Sequence, residues 1–289
     1  MNLASQVMSA STPPPVRVGF YGAGFISQFH VAALAASSVP NEIVAVHDPD
    51  AERAARFAAA HGGRAVGEDE LLELVDAVYV ATWTSEHPRL VEKAAAAGRA
   101  VFCEKPVAVD APTVERMVAA VERAGVVDQV GLVLRFLPSF RWVRHLVRDE
   151  RAGRVLAVVF RDDQYIPDQG VYGSTWRADA ARAGRGTLLE HSIHDVDILQ
   201  WLLGPVSAVS ATAREVHGHP GIDDVVVARL DFATGASASL VSSAFHQAVT
   251  VSPSTTASSR RAVAEIATIA ARSSRAIRTS APWATRTSG

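Results

Sequence analysis

Val16-Arg-Val-Gly-Phe-Tyr-Gly-Ala-Gly-Phe-Ile-Ser27 is a short apolar run that ends in glycines and opens into an apolar segment. It reads as a β-strand over 16–21 followed by a helix over 24–37. Gly22-x-Gly24-x-x-Ser27 therefore lies between a strand and a helix. Gly22 permits the tight turn. Gly24 lets the backbone approach a pyrophosphate, which would sit on the helix N-terminus and its positive dipole. The third position is normally Gly or Ala, and Ser27 is slightly larger and polar. A second strand over 43–47 ends at Asp48, 24 residues beyond Gly24 and near the spacing expected for an acid on the ribose hydroxyls. A carboxylate there favours NAD over NADP, although Arg53 and Arg56 keep the phosphorylated cofactor in play.

Outward from this stretch the strand–helix alternation continues. Helices are predicted over 51–61, 87–98 and 112–124, and strands over 77–81 and 100–103. Nearly all-apolar strands alternating with helices imply a parallel sheet covered on both faces. After residue 126 the pattern changes. One more strand (130–135) and one helix (139–149) precede longer strands over 154–165, 207–215, 224–232 and 236–244. Val225, Val227, Leu230 and Phe232 suggest alternation and an antiparallel sheet with one open face. The fold class is thus α/β: an N-terminal Rossmann doubly wound parallel sheet plus a C-terminal α+β domain with a mostly antiparallel, open-faced sheet. The expected divisions are a flexible tail (1–15), a dinucleotide-binding domain (16–126), a substrate and oligomerisation domain (127–249) and an atypical end (250–289). That end holds nine Ala, eight Ser, seven Thr and six Arg with a single acid, Glu265. It reads as a disordered basic tail, or as an out-of-frame or truncated end that leaves the second sheet incomplete.

Composition removes several classes of function. The chain has 289 residues, 48% hydrophobic and 20% charged, enough to bury a sizeable core. Its formal net charge of −2 does not suggest a nucleic-acid partner. No apolar run approaches the ~18 residues a membrane helix needs, and the start lacks a signal peptide's basic and apolar regions. A cytoplasmic location is the expectation. The one cysteine, Cys103, supports neither a disulfide framework nor an all-cysteine zinc site.

Two further stretches carry chemistry. Val101-Phe-Cys-Glu-Lys-Pro106 puts Glu104 and Lys105 at the carboxyl edge of a parallel sheet, where doubly wound folds bind ligands. Lys105 is one of only two lysines, and it could donate a hydrogen bond to a substrate oxygen. Downstream, Glu190, His194 and Asp197 are spaced i, i+4, i+7 on a helix predicted over about 190–203, and so share one face. Histidine is suited to proton transfer near neutrality, and a carboxylate could orient it. Glu190, His191, His194, His217 and His219 could instead form a metal cluster, but the spacing is not diagnostic and no metal is expected.

Taken together, these pieces resemble the Gfo/Idh/MocA family of NAD(P)-dependent oxidoreductases, relatives of glucose–fructose oxidoreductase and inositol dehydrogenase. The matching segments are Gly-Ala-Gly-Phe-Ile (22–26), His-Asp-Pro-Asp (47–50), Ala-Thr-x-x-x-x-His (81–87), Cys-Glu-Lys-Pro (103–106), Leu-Arg-Phe (134–136) and Gly-Thr-Leu-Leu-Glu-His-Ser-Ile-His-Asp-Val-Asp (186–197). The resemblance covers about 16–246. It implies Gly22, Gly24, Phe25 and Ile26 at the pyrophosphate and Asp48 at the ribose. It also implies Thr82 and His87 beside the cofactor, Glu104 and Lys105 flanking the nicotinamide, and Trp176-Arg177 turned towards it. Arg135 and Phe136 would face a sugar, cyclitol or other polyol substrate as donor and wall, beside Lys105 and His194. Lys105 and His194 would carry the catalysis, with Glu190 tuning them. The family often has Asp where this chain has Glu190, and the extra methylene moves the carboxylate. The implied activity is hydride transfer between a nicotinamide cofactor and a CH–OH carbon. The alternative is a non-catalytic nucleotide-binding relative, or an enzyme disabled by its C-terminus. An open sheet face also suggests a homo-oligomer.

Overall fold

A computed structural model describes residues 13–165 and 174–245. The expectations for 1–12, the segment 166–173 and the atypical end 250–289 fall outside the described residues. The first elements alternate as the sequence predicts: β1 (Val16–Tyr21), α1 (Phe25–Ala35), β2 (Asn41–His47), α2 (Ala51–His61), β3 (Arg64–Ala65), α3 (Glu68–Leu74), β4 (Ala77–Val80), α4 (His87–Ala96), β5 (Ala100–Cys103), α5 (Ala111–Ala124) and β6 (Asp128–Val130). The six strands form one sheet in the order β3-β2-β1-β4-β5-β6. The short β3 and α3 carry too little periodicity to stand out in the sequence.

The chain divides into two compact units, with the break between Tyr79 and Val80. In the first, β1 and β2 pair in parallel. Val18, Phe20 and Val46 pack with Ala54 and Phe57 of α2. Asp50 caps α2 by accepting from Arg53 N at 3.0 Å, which sets where the helix begins.

The second unit adds α6 (Pro138–Arg148), β7 (Ala157–Tyr165), α7 (Ala180–Ala183), α8 (Thr187–Glu190), α9 (Ile193–Leu203), β8 (Val206–Arg214), β9 (Val225–Phe232) and β10 (Ser237–Phe245). The four strands form a sheet in the order β7-β10-β9-β8. Two of its pairings, β10–β9 and β8–β9, are antiparallel, but β7 pairs with β10 in parallel from Ala157↔Ser237 to Phe160↔Leu240 and beyond. Val226, Ala228, Leu230 and Phe232 point inward with Ala238 and Leu240. Val225 and Val227 are in the opposite phase, so the alternation expected from those two valines is corrected by one residue. The outward phase of β7 is exposed, with Val159 at 83%.

Two other expectations change. The strand expected over 130–135 stops at Val130. Leu132 N bonds back to Val130 O, and Val133–Phe136 forms a single 3-10 turn. The single helix expected from Glu190 is two. Thr187 O accepts from both His191 N and Ser192 N, which ends α8, and Ser192 then begins α9. Glu190 and His194 therefore lie on different helices rather than one turn apart on a shared face.

Gly186 shows how tightly this junction is built. A Cβ added there would lie 1.9 Å from the main-chain oxygen of Asp223, which already accepts from Thr187 N at 2.8 Å. Backbone cannot give way as a side-chain tip can. Gly186→Ala is expected to cost about 3 kcal/mol or more of unfolding free energy. Denaturant titration checks this, and an unchanged midpoint would contradict the close approach.

Candidate functional site

In the first unit the glycine loop is built as the sequence predicts. Gly22 has φ +94°, which favours glycine. Ser27 is buried, and its hydroxyl donates to Gly22 O at 2.7 Å. The extra atom at this third position thus fastens the loop to the helix. Asp48 is buried at the end of β2. Its Oδ2 accepts from Ala23 N and its Oδ1 from Asp50 N, both at 2.9 Å, and Arg53 Nη1 lies 3.4 Å from Oδ1. Oδ2 has a second lone pair with which to accept from a ribose hydroxyl. Gly24 begins α1 with no side-chain cap, and a Cβ added to it would meet nothing within 4 Å. An uncapped helix N-terminus beside open space fits the pyrophosphate of a dinucleotide. Phe25 and Ile26 are exposed at 47% and 36% on the same turn.

In the second unit β5 delivers the Glu-Lys-Pro turn. Glu104 is buried, and its Oε2 accepts from Lys105 N at 3.0 Å. A Cβ on Gly131 would come within 3.1 Å of the Glu104 carboxylate, so a side chain there would crowd it. Lys105 Nζ donates to the main-chain oxygen of Glu190 at 2.5 Å. The Glu190 carboxylate takes a different partner: its Oε2 accepts from Arg177 Nε at 2.9 Å, a largely buried pair. Arg177 also donates to Ser174 and lies over the Trp176 ring. Glu190 is therefore joined to Lys105 through its backbone and to Arg177 through its side chain.

His194 follows in the first turn of α9. Burial, and then the charge of Lys105, push its pKa down to about 3. It is a neutral imidazole at ordinary pH, the form that accepts a proton. Its Nδ1 is buried without a partner among the described residues.

Three further expected residues have partners within the protein. His87 is 1% exposed, with both ring nitrogens facing main-chain oxygens. Thr82 is half-buried in the preceding turn, with its hydroxyl 3.4 Å from Trp83 O. Arg135, expected to reach into a substrate cleft, is paired with Asp197: Nε donates to Oδ2 at 2.7 Å and Nη2 to Oδ1 at 2.5 Å. Asp197 is buried, and this two-point pairing offsets the cost of burying its charge. Phe136, beside it, is 63% exposed.

Next to His194 is a cluster that the sequence reading missed. Ser192 Oγ bonds to Ser242 Oγ at 2.7 Å and lies 3.4 Å from Asp162 Oδ2; Thr187 Oγ1 lies 3.0 Å from Ser242 Oγ. His191 Nε2 is 3.1 Å from Asp162 Oδ2. Asp195 is a neighbouring carboxyl, and its Oδ2 is buried without a hydrogen-bond partner among the described residues. Burial pushes Asp195 up to about 8, while the hydrogen bond from His191 holds Asp162 below its usual range. Asp195 thus keeps its proton to a higher pH than an ordinary carboxyl. The available signal was the phase of β7, which turns Asp162 and Gln164 inward together with Val158 and Phe160. Among the described residues, no group of three or more His, Cys, Asp or Glu is arranged to hold a metal ion. Nor is any described helix long and apolar enough to cross a membrane.

The chain belongs to the GFO/IDH/MocA oxidoreductase family. Residues 16–132 match the family's NAD-binding Rossmann fold, and residues 140–257 match its C-terminal domain. It is 33% identical over 243 residues to 1,5-anhydro-D-fructose reductase of Ensifer adhaerens, covering 81% of this chain and 69% of that protein. It is 34% identical to inositol 2-dehydrogenase of Rhizobium meliloti (strain 1021), covering 76% and 66%. Among solved structures it is similar to the WlbA dehydrogenase of Bordetella pertussis in complex with NADH and UDP-GlcNAcA, with 29% identity and a TM-score of 0.76 over 82% of this chain and 69% of that one. GenD2 from gentamicin A biosynthesis, in complex with NAD, gives 27% identity and a TM-score of 0.75 over 83% and 68%. The chain thus spans about two thirds of the length of these relatives.

Gly24→Ala should leave the melting temperature nearly unchanged, because its Cβ meets only open space. It should weaken NAD binding at least tenfold, because that space is where the backbone must approach the pyrophosphate. Calorimetry beside thermal unfolding reads both effects, and unchanged NAD affinity would contradict the cradle.

The titrating pair predicts a stability profile. Between the ordinary Asp value of 3.8 and about 8, the folded protein holds a proton on Asp195 that the unfolded chain does not, so this group's contribution falls as pH rises. His194 acts oppositely between about 3 and 6.5: the unfolded chain holds the proton, and the contribution is lost as pH falls. Above pH 6.5 only the Asp195 slope remains of the two. Asp195→Asn removes the titrating group at nearly the same shape, and it should flatten the decline in melting temperature between pH 6.5 and 8. An unaltered slope would remove the proton from Asp195.

Proposed function

We propose that this protein moves a hydride between C4 of nicotinamide and a hydroxyl- or carbonyl-bearing carbon of a sugar, cyclitol or related polyol. The observation that carries the reading is the bond from Lys105 Nζ to Glu190 O, three residues before the helix of the buried, neutral His194 begins, in a chain of this oxidoreductase family. The relatives' names, an anhydrofructose reductase and an inositol dehydrogenase, support the substrate class. NAD is the preferred cofactor, because the Asp48 carboxylate would repel a 2′-phosphate. Gly22, Gly24, Phe25 and Ile26 hold its pyrophosphate.

When bound, the nicotinamide supplies the hydride acceptor or donor. Lys105 donates a hydrogen bond to the reacting oxygen and stabilises the negative charge that develops there. His194 takes the proton from that oxygen during oxidation and returns it during reduction. Glu190 orients Lys105 through its main chain and anchors Arg177 through its carboxylate. Trp176, Thr82 and Glu104 complete the cofactor's surroundings in this reading. Arg135 contributes by holding Asp197, and Phe136 by walling the substrate.

The proposal includes a cofactor domain over 16–126 and a substrate domain over 127–249, acting in the cytoplasm. It also includes a homo-oligomer formed through the outward face of β7–β10, which the exposure of Val159 and Val227 supports.

The test is nicotinamide absorbance over a polyol panel, with NAD and NADP titrated separately. NAD should bind tighter. Lys105→Ala and His194→Ala should each lower turnover by roughly 10²–10⁴ with cofactor affinity largely kept. The double variant should lose less than the product of the two, since both groups act on one oxygen. Because His194 is already neutral, kcat/KM should show no acid limb near 6.5. Wild-type protein that binds NAD but turns over nothing would favour the non-catalytic reading.

A further inference from the structure

His87 is the first residue of α4, and its ring is enclosed on all sides. Nδ1 lies 2.8 Å from the main-chain oxygen of Pro106, and Nε2 lies 3.2 Å from that of Thr82. Burial lowers the pKa of the ring and keeps it neutral, so it has one N–H for two oxygens. The shorter contact assigns that hydrogen to Nδ1, and Nε2 then turns a lone pair towards Thr82 O. Pro106 directly follows Lys105. On the other side of the turn, the Glu104 carboxylate holds Lys105 N. The turn is therefore held once by its own glutamate and once by a ring mounted on a separate helix. An enclosed ring has no surface to offer a cofactor.

We propose that His87 is the positioning residue of Lys105: its Nδ1–H, donated to Pro106 O, fixes the Glu-Lys-Pro turn so that Lys105 Nζ reaches Glu190 O. This rests on the hydride-transfer reading, in which Lys105 meets the reacting oxygen.

Asparagine and glutamine separate the two ring contacts. The Asn amide N–H occupies the place of Nδ1, and the Gln amide that of Nε2. Phenylalanine fills the ring's space and donates nothing. The readouts are melting temperature, NAD affinity, kcat and KM, and hydrogen exchange of the peptide spanning 101–108. His87→Asn should keep kcat within about threefold of wild type and exchange as wild type does. His87→Gln and His87→Phe should lose roughly 10- to 100-fold in kcat, the scale of a small misplacement of a catalytic group. In both, exchange should be faster around Lys105 while NAD affinity and KM stay near wild type.

Wild-type kcat and exchange in His87→Phe would overturn the proposal. So would His87→Asn behaving as His87→Gln does. Weaker NAD binding in all three variants would return His87 to the cofactor wall. If His87→Phe fails to fold, the Asn and Gln pair decides, since each keeps an amide of similar polarity. A wild-type protein without turnover would remove the hydride-transfer reading, yet the exchange arm would still report whether the tether exists.

Discussion

The bond from Lys105 Nζ to Glu190 O is the constraint on which the rest of the second unit turns. It crosses 85 positions of sequence and joins the end of β5 to the end of α8. Everything around it keeps those two ends in place. Glu104 and His87 hold the turn that carries the lysine. Gly186 lets α8 start against Asp223, and Thr187 O closes it. The glutamate at 190 can then use its backbone for one partner and its carboxylate for another, a division that its extra methylene favours.

Much of this was legible in the sequence, and the reasons differ by element. The glycine loop and Asp48 were readable because each residue answers one local demand: a positive φ, space for an anion, an acid at a strand end. Lys105 stood out because it follows a buried strand at a restricted turn. The break between α8 and α9 was not readable. A spacing of i, i+4 presumes an unbroken helix, and the hydroxyls and carbonyl that interrupt this one become partners only through tertiary contacts with β7 and β10. The partner of Arg135 was not readable for a related reason. A cation near a site invites a ligand, but the buried Asp197 needs it more. The resemblance places His87 at the cofactor, and the two backbone oxygens that face its buried ring were not readable.

The electrostatics of the unit also separate by depth. Arg177–Glu190 and Arg135–Asp197 satisfy buried carboxylates with guanidinium groups. Burial outweighs the charge of Lys105 at Asp195, which keeps its proton. His194 has a cation for a neighbour and gives its proton up. Two groups in one helical turn are thus held away from their ordinary protonation in opposite senses. Both end up neutral, which lowers the cost of burying them.

The parallel pairing of β7 with β10 bears on the order of assembly. Among the described residues β7 is an edge strand whose only neighbour in the sheet is β10, and Ala157 meets Ser237 across 80 positions. During synthesis β7 emerges long before that neighbour exists. Its inward Asp162 meanwhile lacks the Ser192–Ser242 hydroxyl pair that closes the cluster. Loops of this length are slow to close. The nascent second unit therefore has a waiting strand with unpaired backbone groups, and the ribosome must deliver residues up to about 245 before that strand is covered.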